Sequence, residues 1–208
     1  MVQLEGAEGT ETNNIANGIA NDIVTVSLLQ VALRANARRL QTLLNDWGET
    51  ADTATPEGLF SLLQQVAQGL LDYSRYWTHV LASSKTVNAY EEAEELFNAW
   101  SLRERSKFSM ETLTNVDGVI TKRSPVPPTL DDIPAYIVVT LILGTEGDDP
   151  LFGEIYSASA LRDVLDDIRL MQPRYLLVFE MLWSPQDPND SLTEEERATE
   201  YAEMAAIA

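Results

Sequence analysis

The stretch Ala135-Tyr-Ile-Val-Val-Thr-Leu-Ile-Leu-Gly144 decides the reading of the fold. It is a near-continuous apolar run, which predicts a strand covered on both faces. Leu161, Val164, Leu165, Ile168 and Met171 follow at helical spacing after the cap region Ser157–Ser159, and Tyr175–Trp183 is a second apolar strand. Strand, helix, strand at these lengths predicts a βαβ crossover, parallel and right-handed. Two doubly covered strands need helices on both sides of the sheet. The crossover helix supplies one layer, and amphipathic helices upstream supply the other. The expected fold is α+β, with N-terminal amphipathic helices packed on a mixed sheet that contains a β-hairpin and a βαβ crossover.

Working outward, Leu29, Leu33, Ala37, Leu40, Leu44 and Trp47 recur at three- and four-residue steps. They predict a first helix that starts near Asn21–Asp22 and ends at Gly48. A second helix opens at Thr55-Pro56-Glu57 and carries Leu59, Leu63, Val66, Leu70, Tyr73 and Trp77 on one stripe. A third starts at Asn88 with a capping box to Glu91 and turns Ala93, Phe97 and Trp100 inward. Glu91, Glu92, Glu94 and Glu95 gather near its start. Lys107–Thr114 and Val119–Arg123 read as hairpin arms around Asn115–Gly118, with an Asp-Gly turn. The prolines at 125, 127, 128 and 134 make Ser124–Pro134 a stiff extended connector. This divides the chain into an acidic mobile arm (1–22), a single α+β domain (23–186) and an acidic C-terminal segment (187–208). That last segment is expected to hold a short helix opened by a capping box from Ser191 to Glu194.

The chain has 208 residues, a length suited to one domain. Its 14 Lys+Arg against 33 Asp+Glu leave a net charge of −19, which excludes general nucleic-acid binding, because a polyanion needs a cationic footprint. The same balance opposes broad adhesion to anionic membranes. The absence of cysteine excludes disulfides, thiolate zinc sites, iron–sulfur clusters and cysteine nucleophiles. The longest apolar runs, Tyr136–Leu143 and Tyr175–Trp183, fall short of the roughly 18–20 residues that cross a bilayer. Residues 1–22 carry Glu5, Glu8 and Glu11 and no Lys or Arg, the wrong charge for the start of a signal peptide.

The negative charge is unevenly spread. Four carboxylates and no base give the arm −4; seven carboxylates and one arginine give residues 187–208 −6; the middle holds −9. Eight of the 14 bases fall in two stretches: Arg34, Arg38 and Arg39, then Arg103, Arg105, Lys107, Lys122 and Arg123. A basic face on an acidic body would steer an acidic partner or lipid headgroups toward it. The competing reading pairs these bases internally with the glutamates of the third helix and the C-terminal segment.

Little else points to chemistry. His79 is the only histidine, so no multi-histidine metal site can form within one chain, and no Gly-x-Ser-x-Gly elbow accompanies it. It reads as a partly buried or surface residue near the end of the second helix. Glu146, Asp148 and Asp149 follow a buried strand, where α/β sheets place ligands, and their oxygens would suit Mg²⁺ or Ca²⁺. Their spacing matches no recognised loop. Gly6 to Gly9 and Gly144 to Gly147 form neither a P-loop nor a dinucleotide fingerprint. Trp47, Trp77 and Trp100 sit on apolar stripes and are expected in the core, whereas Trp183 ends a strand as a lid or a contact residue.

Several strings together resemble one family. They are Asp52-Thr-Ala-Thr-Pro-Glu-Gly58-Leu59, Glu104-Arg-Ser-Lys-Phe-Ser-Met-Glu-Thr-Leu-Thr-Asn115, Ile137-Val-Val-Thr-Leu-Ile-Leu-Gly-Thr-Glu-Gly147, Trp183-Ser-Pro-Gln-Asp187 and Ser191-Leu-Thr-Glu-Glu-Glu196. In this order, from about Val24 onward, the chain resembles the cyanobacterial and chloroplast domain-of-unknown-function family 1517, and Glu-Arg-Ser-Lys-Phe is the most specific string. Ser184 stands where the family usually has threonine. Many members carry a hydrophobic anchoring region and a Gly/Ser-rich stretch; neither is expected in the short acidic segment 1–22. Plant members are tied to acclimation of photosynthesis to fluctuating light, so the resemblance implies a photosynthetic context and a regulatory role. It implies no catalytic residues.

The expected function is a non-enzymatic interaction or regulatory protein of a photosynthetic cell, acting through protein–protein contacts and without a cofactor. The candidate contact residues are Arg34, Arg38, Arg39, Arg105, Lys107, Trp183 and Gln186. The partner is a protein, thylakoid-associated in one version, and the location is cytoplasmic or peripheral to the thylakoid membrane. Two alternatives stay open: an enzyme or small-ligand or metal-binding protein using the acidic loop 146–149, and a peripheral membrane adaptor using the arginines of the first helix.

Overall fold

A computed structural model describes residues 23–111, 113–116, 119–122 and 135–207. The elements run β1 (Val24–Arg34), α1 (Arg38–Thr50), α2 (Pro56–Asp72), β2 (Trp77–Val87), α3 (Tyr90–Glu111), β3 (Leu113–Val116), β4 (Val119–Lys122), β5 (Ala135–Glu146), α4 (Ala158–Leu170), β6 (Leu176–Ser184), β7 (Leu192–Thr193), α5 (Glu194–Glu200) and β8 (Ala205–Ala206). The main sheet is ordered β6-β5-β1-β2-β8, with β7 also paired to β5, and every pairing in it is antiparallel. β3 and β4 form a separate antiparallel hairpin. The class is α+β, as expected.

The sheet corrects three details. The expected start of the first helix is instead the central strand β1, whose residues Val24 to Leu33 are all buried. Its Val-Thr-Val-Ser-Leu-Leu-Gln-Val run favours a pleated, doubly covered segment. The helical spacing of Leu29 and Leu33 is the coincidence of one strand face running on into α1. The second helix likewise stops at Asp72, and Trp77 and His79 belong to β2 rather than to its stripe.

The crossover is also revised, because β5 and β6 are antiparallel neighbours. β5 ends at Glu146 and β6 begins at Leu176 opposite Thr145, so the connection leaves and returns at one end of the sheet. Residues 147–157 make this possible. They cross the sheet first, burying Phe152 and Ile155, and α4 then brings the chain back. The pair α1–α2 does the same between β1 and β2, where Leu33 sits opposite Trp77.

Cover on the two faces follows strand alternation. Leu29, Val31 and Leu33 of β1 join Ile137, Val139, Leu141 and Leu143 of β5 in one core with α1, α2 and α4. All three of these helices therefore share a face, and the opposite one falls to α3 and the C-terminal elements. There Val24, Val26 and Val87 pack against Ala93, Phe97 and Trp100, the expected inward side of the third helix. That helix runs on to Glu111, so Lys107 lies on it and not in a hairpin arm. Ala32, Tyr136 and Val138 pack against Leu192, Tyr201 and Met204. The C-terminal capping box joins Thr193 to Glu196, two residues later than the expected Ser191–Glu194.

The Asp52–Gly58 string sets the entry to α2. Asp52 accepts from the Ala54 amide (3.1 Å) and the Thr55 hydroxyl (2.8 Å), and Thr55 Oγ1 caps the Gly58 amide (3.2 Å). A Cβ at position 58 would lie 2.0 Å from the Asp52 carbonyl oxygen, so only glycine fits there. The Ser124–Pro134 connector and the arm 1–22 lie outside the described residues, as do the Asp117-Gly118 turn and Arg123.

Candidate interaction surface

The Glu-Arg-Ser-Lys-Phe string places a carboxylate between α3 and the sheet. Glu104 is 2% exposed. Gln30 Nε2 donates to it at 2.6 Å and to Thr140 Oγ1 at 3.0 Å. Lys107 Nζ reaches it at 2.6 Å, and Arg103 Nε at 3.1 Å. Lys107 also stands 4.2 Å from the Tyr201 ring centre, and Arg103 lies 3.7 Å from Glu203. A buried charge is tolerable only when partners replace its water, and these donors do so. The arrangement fastens α3 and the C-terminal segment to β1 and β5.

The Trp183-Ser-Pro-Gln-Asp string builds the edge of the sheet. Gln41 Nε2, buried in α1, donates to the Pro185 carbonyl at 2.9 Å. Trp183 Nε1 donates to Asn45 Oδ1 at 3.0 Å, and Asn45 Nδ2 to the Gln186 carbonyl at 3.3 Å. The Ser184–Pro185 peptide is cis. Gly48 lets α1 approach closely, since a Cβ there would sit 3.2 Å from the Trp183 ring. A groove of about 930 Å³ lies along β6, walled by Asn45 and Glu49 of α1, Leu59 of α2, Arg105 of α3 and Gln186. Arg105 Nε donates to Glu180 Oε1 of β6 at 2.6 Å.

A third cluster joins β2, β5 and α5. The His79 ring meets the Tyr136 ring edge-on at 6.0 Å, and the Arg197 guanidinium lies 5.5 Å from the Tyr136 ring centre. Burial, helped by the charge of Arg197 and opposed by Glu194, holds His79 below the ordinary histidine value. Burial and a hydrogen bond to Glu194 push Tyr136 upward. The bond from Arg197 keeps Glu194 below the usual carboxylate range.

The sequence candidates therefore separate. Arg105, Trp183 and Gln186 meet at the β6 groove. Lys107 turns instead to Glu104. Arg34, Arg38 and Arg39 are exposed at the entry to α1 and make no ion pair among the described residues. Thr25 Oγ1 donates to the carbonyls of Gly147 (3.1 Å) and Asp149 (3.0 Å), tying the acidic loop to β1. Among the described residues no group of three or more His, Cys, Asp or Glu is placed to hold a metal ion. No helix among them is long and apolar enough to cross a membrane. Sequence reading missed Gln30, Gln41, Asn45 and Tyr201. For Gln30 and Gln41 the available signal is an amide within an apolar run, which a buried position must satisfy.

No solved structure matches this chain. The chain belongs to the family described as Protein of unknown function (DUF1517), which matches residues 23–207. It is 33% identical over 177 residues to FLUCTUATING-LIGHT-ACCLIMATION protein 1, chloroplastic, of Arabidopsis thaliana, covering 85% of this chain and 45% of that one. It is 31% identical over 192 residues to Protein FLAP1 homolog A of Synechocystis, covering 88% of this chain and 57% of that one. The chain thus spans about half the length of these relatives.

Proposed function

We propose that this protein is a non-enzymatic interaction protein of a photosynthetic cell, serving the acclimation of photosynthesis through protein–protein contacts. The names of the two relatives support the physiological setting. The observation that carries the mode of action is the edge of β6. Leu177 and Val178 stand exposed there, and the Trp183-Ser-Pro-Gln segment, fixed to α1 by three hydrogen bonds, holds a groove open alongside. Apolar surface kept rigid and accessible is the usual mark of a binding surface. The test is complementation. A Synechocystis strain lacking homolog A and carrying this chain should match its parent in chlorophyll fluorescence under alternating light, where the empty strain departs. Expression without restoration contradicts the proposal.

A second reading rests on Arg34, Arg38 and Arg39. Exposed cations at a helix start oppose the macrodipole, so they contribute nothing to α1 itself and remain open to anionic headgroups. Flotation with vesicles containing anionic lipid, abolished by Arg38→Glu with Arg39→Glu, is the expected result for that reading; no flotation at low salt excludes it.

A further inference from the structure

The two edges of the main sheet are finished differently. At one edge, β2 is paired at His79 and Val80 by β8, and its second half carries the polar run Ser83-Ser-Lys-Thr86, with Lys85 exposed. A short cover and an outward lysine are common protections against edge-to-edge pairing. At the other edge, β6 reads Leu176-Leu-Val-Phe-Glu-Met-Leu-Trp-Ser184, without lysine or proline. Among the described residues no strand pairs with its outer side. One register shift leaves Leu177 unpaired at its start, and pairing to β5 is regular from Val178 to Ser184. The strand's single charge, Glu180, is engaged by Arg105 with 12% of its side chain exposed. Every second residue of such a strand directs its N–H and C=O away from the sheet. The groove lies on that side, with α1 and α2 on one wall and Arg105 of α3 on the other.

We propose that the outer edge of β6 docks an extended segment of a partner protein, which adds to the sheet as a further strand, alternates apolar and polar residues, and carries lysine or arginine at its flanks. This inference rests on the interaction reading above and names the partner's chemistry. The alternation follows from strand geometry, since only side chains on one face of the added strand would enter the apolar groove. The basic flanks follow from charge. The groove lining holds Glu49, Glu180 and Asp187 against one guanidinium, and that guanidinium is already paired to Glu180. A second copy of a chain with a net charge of −19 would meet this edge with repulsion.

The test selects random displayed peptides on the full chain. Enriched sequences should alternate apolar and polar residues between basic ends. Val178→Lys should weaken them about tenfold or more, Val178→Thr should retain them, and both variants should melt with the parent. Glu49→Lys with Asp187→Lys should weaken basic-ended peptides and favour versions with glutamate ends. Enrichment of proline-rich, helical or acidic peptides overturns the proposal, as does binding indifferent to Val178→Lys. So does sedimentation showing a dimer that Val178→Lys dissolves, or peptide binding that appears only after residues 1–22 are removed. Failure here stays distinct from failure of the wider reading. A Val178→Lys chain that restores the Synechocystis strain sinks the edge and leaves the interaction role standing; a parent chain that restores nothing sinks the role itself.

Discussion

Glu104 shows how one side chain can fasten three elements. Its carboxylate lies under α3 with Gln30, Arg103 and Lys107 as donors, so removing the charge strands those donors around a neutral group. Hydrogen bonds to charged groups contribute about 1.5–3 kcal/mol. We expect Glu104→Gln to lower unfolding stability by about 2–3 kcal/mol in urea titrations, and Glu104→Ala to cost more; a loss within measurement error would show that the network is ornamental. His79 gives a pH-dependent prediction. Its folded pKa is lowered by burial, so the unfolded chain binds its proton more readily. Stability from the neutral imidazole is therefore complete above about pH 6.5 and declines as pH falls through the unfolded value toward the folded one. Glu194, also lowered, adds a second loss at more acidic pH, below the ordinary carboxylate value. The urea midpoint of the parent should drop between pH 7.5 and 5.5 and that of His79→Gln should drop less; parallel curves contradict this account.

The helices with explicit caps are legible in the sequence. Thr55 and Ser157 cap α2 and α4 as their sequences foretell, because a cap is a local device. Gly58→Ala should destabilise by about 1–3 kcal/mol in thermal or urea unfolding, because the added methyl meets the Asp52 backbone carbonyl. A neutral result would mean that the turn before α2 rearranges freely. β1 was not legible, for a physical reason. A central strand buried on both faces shows no alternation, and Leu29, Leu33 and Leu40 continue at intervals that a helix also satisfies. The antiparallel return of β6 was hidden for a different reason: direction depends on the path of residues 147–157, which buries only Phe152 and Ile155 and shows no period. The groove was half legible. Trp183 and Gln186 stand out in sequence, but Asn45 reaches both, and Gln41 reaches Pro185 between them, from α1 across more than a hundred residues. The coupling between Trp183→Phe and Asn45→Ala, measured by a double-mutant cycle, should be about 0.5–1.5 kcal/mol; zero coupling would remove the indole bond from the support of the edge.

Among the described residues, the elements make a sheet protected at one edge and open at the other. The β2 edge carries Lys85 and the β8 clip, and C-terminal residues are drawn onto the sheet by Tyr136, Tyr201 and the Glu104 ion pairs. The β6 edge is apolar, rigidly backed by α1, and rimmed by carboxylates that keep acidic chains away. This asymmetry is the feature on which the proposed docking rests, and the fold uses the bases differently from their grouping along the chain. Arg103 and Lys107 serve the interior network, Arg105 serves the edge, and Arg34, Arg38 and Arg39 make no ion pair among the described residues. Amide hydrogen exchange across residues 176–184, with and without a selected basic-ended peptide, tests this directly. The outward amides of β6 should exchange rapidly in the free chain and slow at least tenfold on binding, while those of β2 stay unchanged. Protection of β6 that is already complete in the free chain, or slowing that falls on β2 instead, would contradict it.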